Sequence, residues 1–159
     1  MNKCVVCPGS YDPITLGHID IIERAASLFD KVIVVVMINY KKNYSFTVEE
    51  RVDMIKKCVS HIENVEVDFY DGLLSDYAKD KKAYAIIKGL RAMSDFEYEF
   101  QMALANKKLN ESVETLFLTT NSDFMYLSSS MVKQIASMGG DISPFVPKAI
   151  HNDIIERLK

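Results

Sequence analysis

The fold is decided by the opening run Cys4-Val5-Val6-Cys7-Pro8-Gly9-Ser10-Tyr11-Asp12-Pro13-Ile14-Thr15-Leu16-Gly17-His18. A short apolar, β-branched stretch is punctuated by Pro and Gly and then gives way to a helical pattern. Ile22, Ala25, Ala26 and Phe29 follow at i, i+3, i+4 and i+7, one apolar stripe along a helix. A strand that passes through a tight loop into a helix is the first half of a βαβ unit.

Outward from that run the same alternation recurs. Val32–Ile38, Val65–Tyr70, Tyr84–Ile87 and Val113–Leu118 each read as a buried strand. Thr47-Val48-Glu49-Glu50 is a capping box, and the helix it opens carries Val52, Ile55 and Val59 inward. Further helices are predicted over Leu73–Lys81, over Asp95–Leu109 and from Ser129 to a stop at Gly139-Gly140. Pro147 opens a last short one with Ile150, Ile154, Ile155 and Leu158 on its apolar side. Strict alternation implies right-handed crossovers on a parallel sheet, and strands apolar throughout imply cover on both faces. The expectation is one doubly wound, Rossmann-like α/β domain spanning residues 1–159, with about five parallel strands and helices on both faces. Ligands in such sheets sit beyond the carboxyl ends of the strands, where the winding reverses.

Bulk properties narrow the classes. A net charge of −3, from 19 basic and 22 acidic residues, argues against a nucleic-acid binder with a basic stripe. It leaves room for a small anionic substrate, since a few cations focused in a cleft suffice. Cys4 and Cys7 form a C-x-x-C, but residues three apart on a strand point to opposite faces, and Cys58 has no obvious mate. Structural thiols in a reducing cytosol are the expectation. The apolar stretch ended by Pro8 is too short for a signal sequence, and Val32–Ile38 is far short of a membrane span, so a cytoplasmic protein is expected.

The loops after the strands carry the chemistry. In the first, Ser10 supplies a hydroxyl, Gly9 lets backbone approach a ligand, and Gly17 and His18 open a helix whose free N–H groups favour phosphate. Neither G-x-x-x-x-G-K-[ST] nor G-x-G-x-x-G is present. Lys88 and Arg91 bracket the Gly89-Leu90 turn at another strand end, one a point charge and the other a planar fork. Glu99 and Asn106 share a helical face with Phe96 and Ala103, so they face either a ligand or a basic partner such as Arg91 or Lys107. One serine of Ser128-Ser129-Ser130 would N-cap the following helix, and three in a row either serve that cap alone or also line an anion site with hydroxyls and free N–H groups.

Pro8-Gly9-Ser10-Tyr11-Asp12-Pro13-Ile14-Thr15-Leu16-Gly17-His18 resembles the P-G-[TS]-[FY]-D-P-x-[TH]-x-G-H signature of adenylyl- and cytidylyltransferases, relatives of class I aminoacyl-tRNA synthetases. Ile86-Ile87-Lys88-Gly89-Leu90-Arg91 leading into Asp95-Phe96-Glu97-Tyr98-Glu99 is similar to the I-x-R-G-L-R…D-F-E-Y-E motif of the phosphopantetheine adenylyltransferase family. The resemblance runs from Pro8 to about Pro147 and includes the family's serine run at Ser128–Ser130. Three positions depart from it: Lys88 stands where arginine is usual, Cys7 where an aromatic is, and Phe124 at a variable adenine-side position.

That resemblance implies AMP transfer from ATP to 4′-phosphopantetheine, releasing pyrophosphate and forming dephospho-coenzyme A. It makes His18 the transition-state stabiliser, with Lys42 and Arg91 as its catalytic companions. Ser10, Lys42, Leu74 and Lys88 then contact the acceptor; Ser10, Tyr11, His18, Gly89, Leu90, Arg91, Glu99, Phe124, Met125, Tyr126, Leu127, Ser128, Ser129 and Ser130 contact ATP. Mg²⁺ is expected to travel on the triphosphate rather than in a cage of protein ligands. The resemblance also implies a homohexamer with no nucleic-acid or membrane partner. Two alternatives stay open at this point: a sister enzyme with nicotinamide mononucleotide or glycerol phosphate as acceptor, and a catalytically silent nucleotide sensor.

Overall fold

The computed structural model describes residues 1–159, the side chains of Met93 and Ser94 excepted. Five parallel strands run β1 (Cys4–Gly9), β2 (Lys31–Met37), β3 (Val65–Tyr70), β4 (Ala85–Leu90) and β5 (Glu114–Thr119), in the order β3-β2-β1-β4-β5. The helices are α1 (Leu16–Leu28), α2 (Val48–Val59), α3 (Leu74–Asp80), α4 (Met93–Leu109), α5 (Ser129–Ser137) and α6 (His151–Leu158). The winding reverses between β1 and β4, so the loops after those two strands flank the switch point.

Side chains alternate across the sheet as the pleat requires. Val5, Cys7, Val32, Val34, Val36, Ala85 and Ile87 pack under α1, α2, α5 and α6, including Ile22, Ile55, Val132 and Ile154. Val6, Ile33, Val35 and Ile86 face the other way, onto Tyr77 and Ala78 of α3. Cys7 belongs to the first layer and Cys4 packs against the second, so the C-x-x-C pair is split by the sheet. All three thiols are free.

Two expectations change. The central strands are buried along their length, but β3 leaves Glu66 and Phe69 exposed and β5 leaves Glu114 and Leu116 exposed. Each is an edge strand with one neighbour, and the helix cover thins toward the edges. The second helix does use its capping box, Thr47 with Glu50, but its buried residues include Arg51 and Met54 beside Ile55 and Val59, while Val52 is half-buried. No helix, among the described residues, is long and apolar enough to cross a membrane.

Candidate active site

The β1–α1 loop forms the first wall and is held at nearly every residue. Tyr11 has φ 49°, a left-handed backbone that a non-glycine residue keeps only when its surroundings enforce it. Its buried hydroxyl donates to the Cys7 carbonyl oxygen at 2.9 Å. Its ring meets the His18 imidazole edge-on, 5.0 Å between centroids. Gly9 makes room for that ring: a Cβ there would lie 3.0 Å from Tyr11 Cε2, so the close approach it permits is to Tyr11 as much as to a ligand.

His18 is the third residue of α1 and closes a capping box with Thr15. The His18 backbone N–H donates to Thr15 Oγ1 at 3.4 Å, and the Thr15 backbone N–H donates to His18 Nδ1 at 3.0 Å. A ring nitrogen that accepts a backbone N–H carries no proton, so the bonding pattern assigns the proton to Nε2. Burial, followed by the charges of Arg91 and Lys88, pushes the imidazole pKa down to about 4. At neutral pH His18 is an uncharged ring whose one N–H donor is Nε2.

The second wall comes from the end of β4 and the start of α4. Gly89 is pressed onto α1, where a Cβ would stand 3.0 Å from Ile21 Cγ1. On either side of it the cations are paired. Lys88 Nζ lies 3.5 Å from Glu99 Oε1. Arg91 donates from Nε to Asp95 Oδ2 at 3.0 Å and from Nη1 to the Leu127 carbonyl oxygen at 2.7 Å. The ionic partner of Glu99 is therefore Lys88, rather than Arg91 or Lys107; Lys107 turns instead to Glu114.

A 3-10 turn over Ser122–Phe124 and the first turn of α5 close the third side. Ser128 is the N-cap, accepting from the Met131 backbone N–H at 3.1 Å. Ser129 Oγ donates across to the Pro13 carbonyl oxygen at 2.7 Å.

Where these walls meet, a cavity of about 380 Å³ opens at the carboxyl ends of β1 and β4. Ser10, Tyr11, His18, Lys42, Lys88, Gly89, Arg91, Glu99, Phe124, Leu127, Ser128 and Ser129 all line it. Leu90, Met125, Tyr126, Ser130 and Leu74 do not. Met125 and Tyr126 are half exposed or more, at 50% and 59%, on the rim turn. Leu74 opens α3 and packs against the second core layer. Lys42 reaches the cavity from the loop after β2, and Lys41 does not. Cys7 lines the floor, but burial raises its thiol to about 12, so it stays protonated and inert.

Several contributors escape a motif-based reading. Thr15 orients the imidazole, and Thr120 and Asp95 also line the cavity. Beneath it, Asp12 and Arg51 are buried at 4% and 1% exposure and tie together loops that are distant in sequence. The T-x-G-H spacing was the available signal for Thr15. Asp12 stands in the P-G-S-Y-D-P run, but nothing there marks its partners, all 33 or more residues away, and Arg51 carries no motif that points to the Ser10 carbonyl 41 residues away.

A 3-2-1-4-5 parallel sheet with an uncharged histidine donor, three cations and a row of hydroxyls over its switch point has the design of a nucleotidyltransferase: positive charge for phosphates, beside a lining thiol that burial keeps protonated. Known proteins agree with this. A family model described as cytidylyltransferase-like matches residues 6–135. A phosphopantetheine adenylyltransferase from Caldanaerobacter subterraneus is 56% identical over 99% of this chain and 98% of its own. One from Clostridium perfringens is 57% identical over 96% of this chain and 93% of its own. The chain belongs to the phosphopantetheine adenylyltransferase family. Among solved structures, the Plasmodium falciparum nicotinic acid mononucleotide adenylyltransferase superimposes with a TM-score of 0.65 over 99% of this chain and 94% of that one. At 14% identity that likeness speaks for the shared fold alone.

Proposed function

We propose that this protein transfers AMP from ATP to 4′-phosphopantetheine, giving dephospho-coenzyme A and pyrophosphate. The observation that carries the mechanism is the convergence of His18, Lys42, Lys88 and Arg91 on one cavity at the switch point. A phosphate oxygen of the acceptor attacks the α-phosphorus of ATP, a new P–O bond forms, and the bond to the β-phosphate bridging oxygen breaks. The acceptor is already an anionic nucleophile, so the protein need only align two mutually repelling anions and offset the charge that grows between them.

In this reading His18 Nε2–H donates to an α-phosphate oxygen as charge builds there. A neutral donor fixed by Thr15 and Tyr11 does this without reorganising. Lys42 and Lys88, with the Ser10 hydroxyl, hold the acceptor phosphate. Arg91 and the first turn of α5 hold the triphosphate, where free N–H groups favour anions. Incoming phosphates take Lys88 over from Glu99 and Arg91 in part from Asp95, turning resting ion pairs into substrate contacts. Leu74, Leu90, Met125, Tyr126 and Ser130 are outer contacts, reached by the longer parts of the two substrates.

Mg²⁺ is the proposed cofactor. The donors that line the cavity are hydroxyls, amides and cations, and its Glu99 and Asp95 carboxylates are already paired with Lys88 and Arg91. Such a set suits an ion that arrives on the triphosphate oxygens, where it supplies further positive charge. The three free cysteines support a reducing, cytoplasmic compartment. A homohexamer is supported by the exposed apolar side chains of α4 and β5, with Tyr98 63%, Leu104 57%, Phe100 48% and Leu116 39% exposed. Light scattering is expected to return six times the 18.1 kDa chain mass.

The acceptor decides the activity. ATP, Mg²⁺ and phosphopantetheine are expected to release pyrophosphate, whereas ATP, Mg²⁺ and nicotinamide mononucleotide are not. Turnover with the mononucleotide or with glycerol phosphate alone would transfer the protein to a sister activity, and turnover with none of the three would make it a nucleotide sensor.

A further inference from the structure

Two charged residues, among the described ones, are buried: Asp12 and Arg51. Neither lines the cavity. Burying a charge is costly unless it is paired and hydrogen-bonded, and a pair of similar-sized apolar residues often stabilises as well. Both charges sit at one joint, where the β1–α1 loop meets the loop after β2.

Asp12 serves three chain segments at once. Its Oδ1 accepts from the Phe46 backbone N–H at 3.0 Å, and its Oδ2 accepts from the Ser45 backbone N–H at 3.0 Å. The same Oδ2 accepts from Lys133 Nζ on α5 at 2.8 Å. One carboxylate thus joins the Ser10–Tyr11 loop, the loop that carries Lys42 three residues before Ser45, and the helix whose first turn is Ser129–Met131. Arg51 braces the joint from α2, donating to the Ser10 carbonyl oxygen at 2.9 Å and stacking on Tyr44 at 4.0 Å. Ser129 Oγ to the Pro13 carbonyl adds a second tie between the first loop and α5.

We infer that Asp12 and Lys133 are positioning residues that set the separation of the two reactants: through them the lysine that grips the acceptor and the helix turn that grips the nucleotide are referenced to one buried carboxylate. This rests on the adenylyl-transfer reading above. Each half-site has its own contacts with its own ligand, so loosening the joint leaves separate binding nearly intact. What suffers is the alignment of the attacking oxygen with the α-phosphorus, and a misplacement of about 1 Å can cost on the order of 10² in rate. A residue that merely stabilised the fold would weaken binding and turnover together.

Lys133→Met and Lys133→Arg are the variants, since Lys133 keeps 26% of its side chain in solvent and tolerates replacement better than Asp12. Turnover is read as pyrophosphate release, and the dissociation constants of ATP and of phosphopantetheine are measured one ligand at a time by calorimetry. The expected result for Lys133→Met is a fall in kcat of roughly 10- to 100-fold, with both dissociation constants within about threefold of wild type. Lys133→Arg, which restores a cation opposite the Asp12 carboxylate, recovers most of kcat. Wild-type kcat in Lys133→Met overturns the inference. So does a parallel rise in both dissociation constants, or no recovery with arginine. Should Lys133→Met fail to show a cooperative thermal transition, Lys133→Gln is read by the same criteria. Absence of turnover in the wild type would instead contradict the proposed reaction and, with it, overturn the inference that rests on it.

Discussion

The first two walls of the cavity are built on different principles. The β1–α1 loop is fixed mostly by bonds that involve backbone: Tyr11 to the Cys7 carbonyl, Thr15 to the His18 ring, and Asp12 to the Ser45 and Phe46 amides. The wall at the end of β4 is held largely by side-chain ion pairs, Lys88 with Glu99 and Arg91 with Asp95, each partly open to solvent. Backbone bonds have no substitute once the loop is folded, whereas an ion pair at a wet rim is worth little by itself and exchanges readily for a better anion. The first wall is therefore preorganised around the reacting centre, and the second waits for phosphates to replace its carboxylates.

The contrast breaks most visibly at His18. His18→Ala removes the one donor aimed at developing charge, and turnover by pyrophosphate release is expected to fall by about 10²–10³ with little change in ATP affinity. Near-normal turnover would mean that the rigid wall has no special task. On the exchangeable wall, Arg91→Lys keeps the charge but loses the fork that spans Asp95 and the Leu127 carbonyl. A decrease in kcat/KM for ATP of roughly 10-fold is expected, from the loss of one charge-assisted hydrogen bond. A change in kcat equal to that of His18→Ala would erase the distinction between the walls. The smallest effect is expected at Thr15, where Thr15→Ala removes only the side-chain half of the capping box. Urea unfolding should show a loss of about 1 kcal/mol, with the backbone N–H to Nδ1 bond still present. A much larger fall in turnover than in stability would show that the hydroxyl itself guides the imidazole.

Much of the fold and of the site is legible in the sequence, and the boundary is physical. Local signals did well. The run Val65–Tyr70 matched β3 residue for residue, and the Thr47–Glu50 box caps α2 as its spacing implies. Ser128 caps α5 in the serine run. The glycine-bracketed cations met His18 and Lys42 at one rim because every strand in a doubly wound sheet delivers its following loop to the same edge. Long-range electrostatics was not legible. Nothing in a one-dimensional pattern marks Asp12 as the partner of a lysine 121 residues away, or Arg51 as a buried guanidinium where the helical period suggested Val52. The choice of Lys88 by Glu99 was equally hidden, since three basic residues lay within plausible reach on the sequence. The exposed faces of β3 and β5 are not legible either, because apolar content cannot tell a central strand from an edge one.

Catalysis in this site depends on His18 being a neutral imidazole, protonated on Nε2 and poised before substrate arrives. Burial and the two neighbouring cations hold its pKa near 4, below the ordinary value of about 6.5. As pH falls through that window the unfolded chain takes up a proton that the folded chain refuses, so this group withdraws stability between pH 6.5 and 4 and has no such effect above. Nitrogen-15 NMR of the histidine rings in the ligand-free protein reads both properties directly. His18 is expected to show the Nε2–H tautomer from pH 8 down to about 5 and to titrate with a midpoint near 4. A midpoint near 6.5, or a proton on Nδ1 at neutral pH, would contradict it.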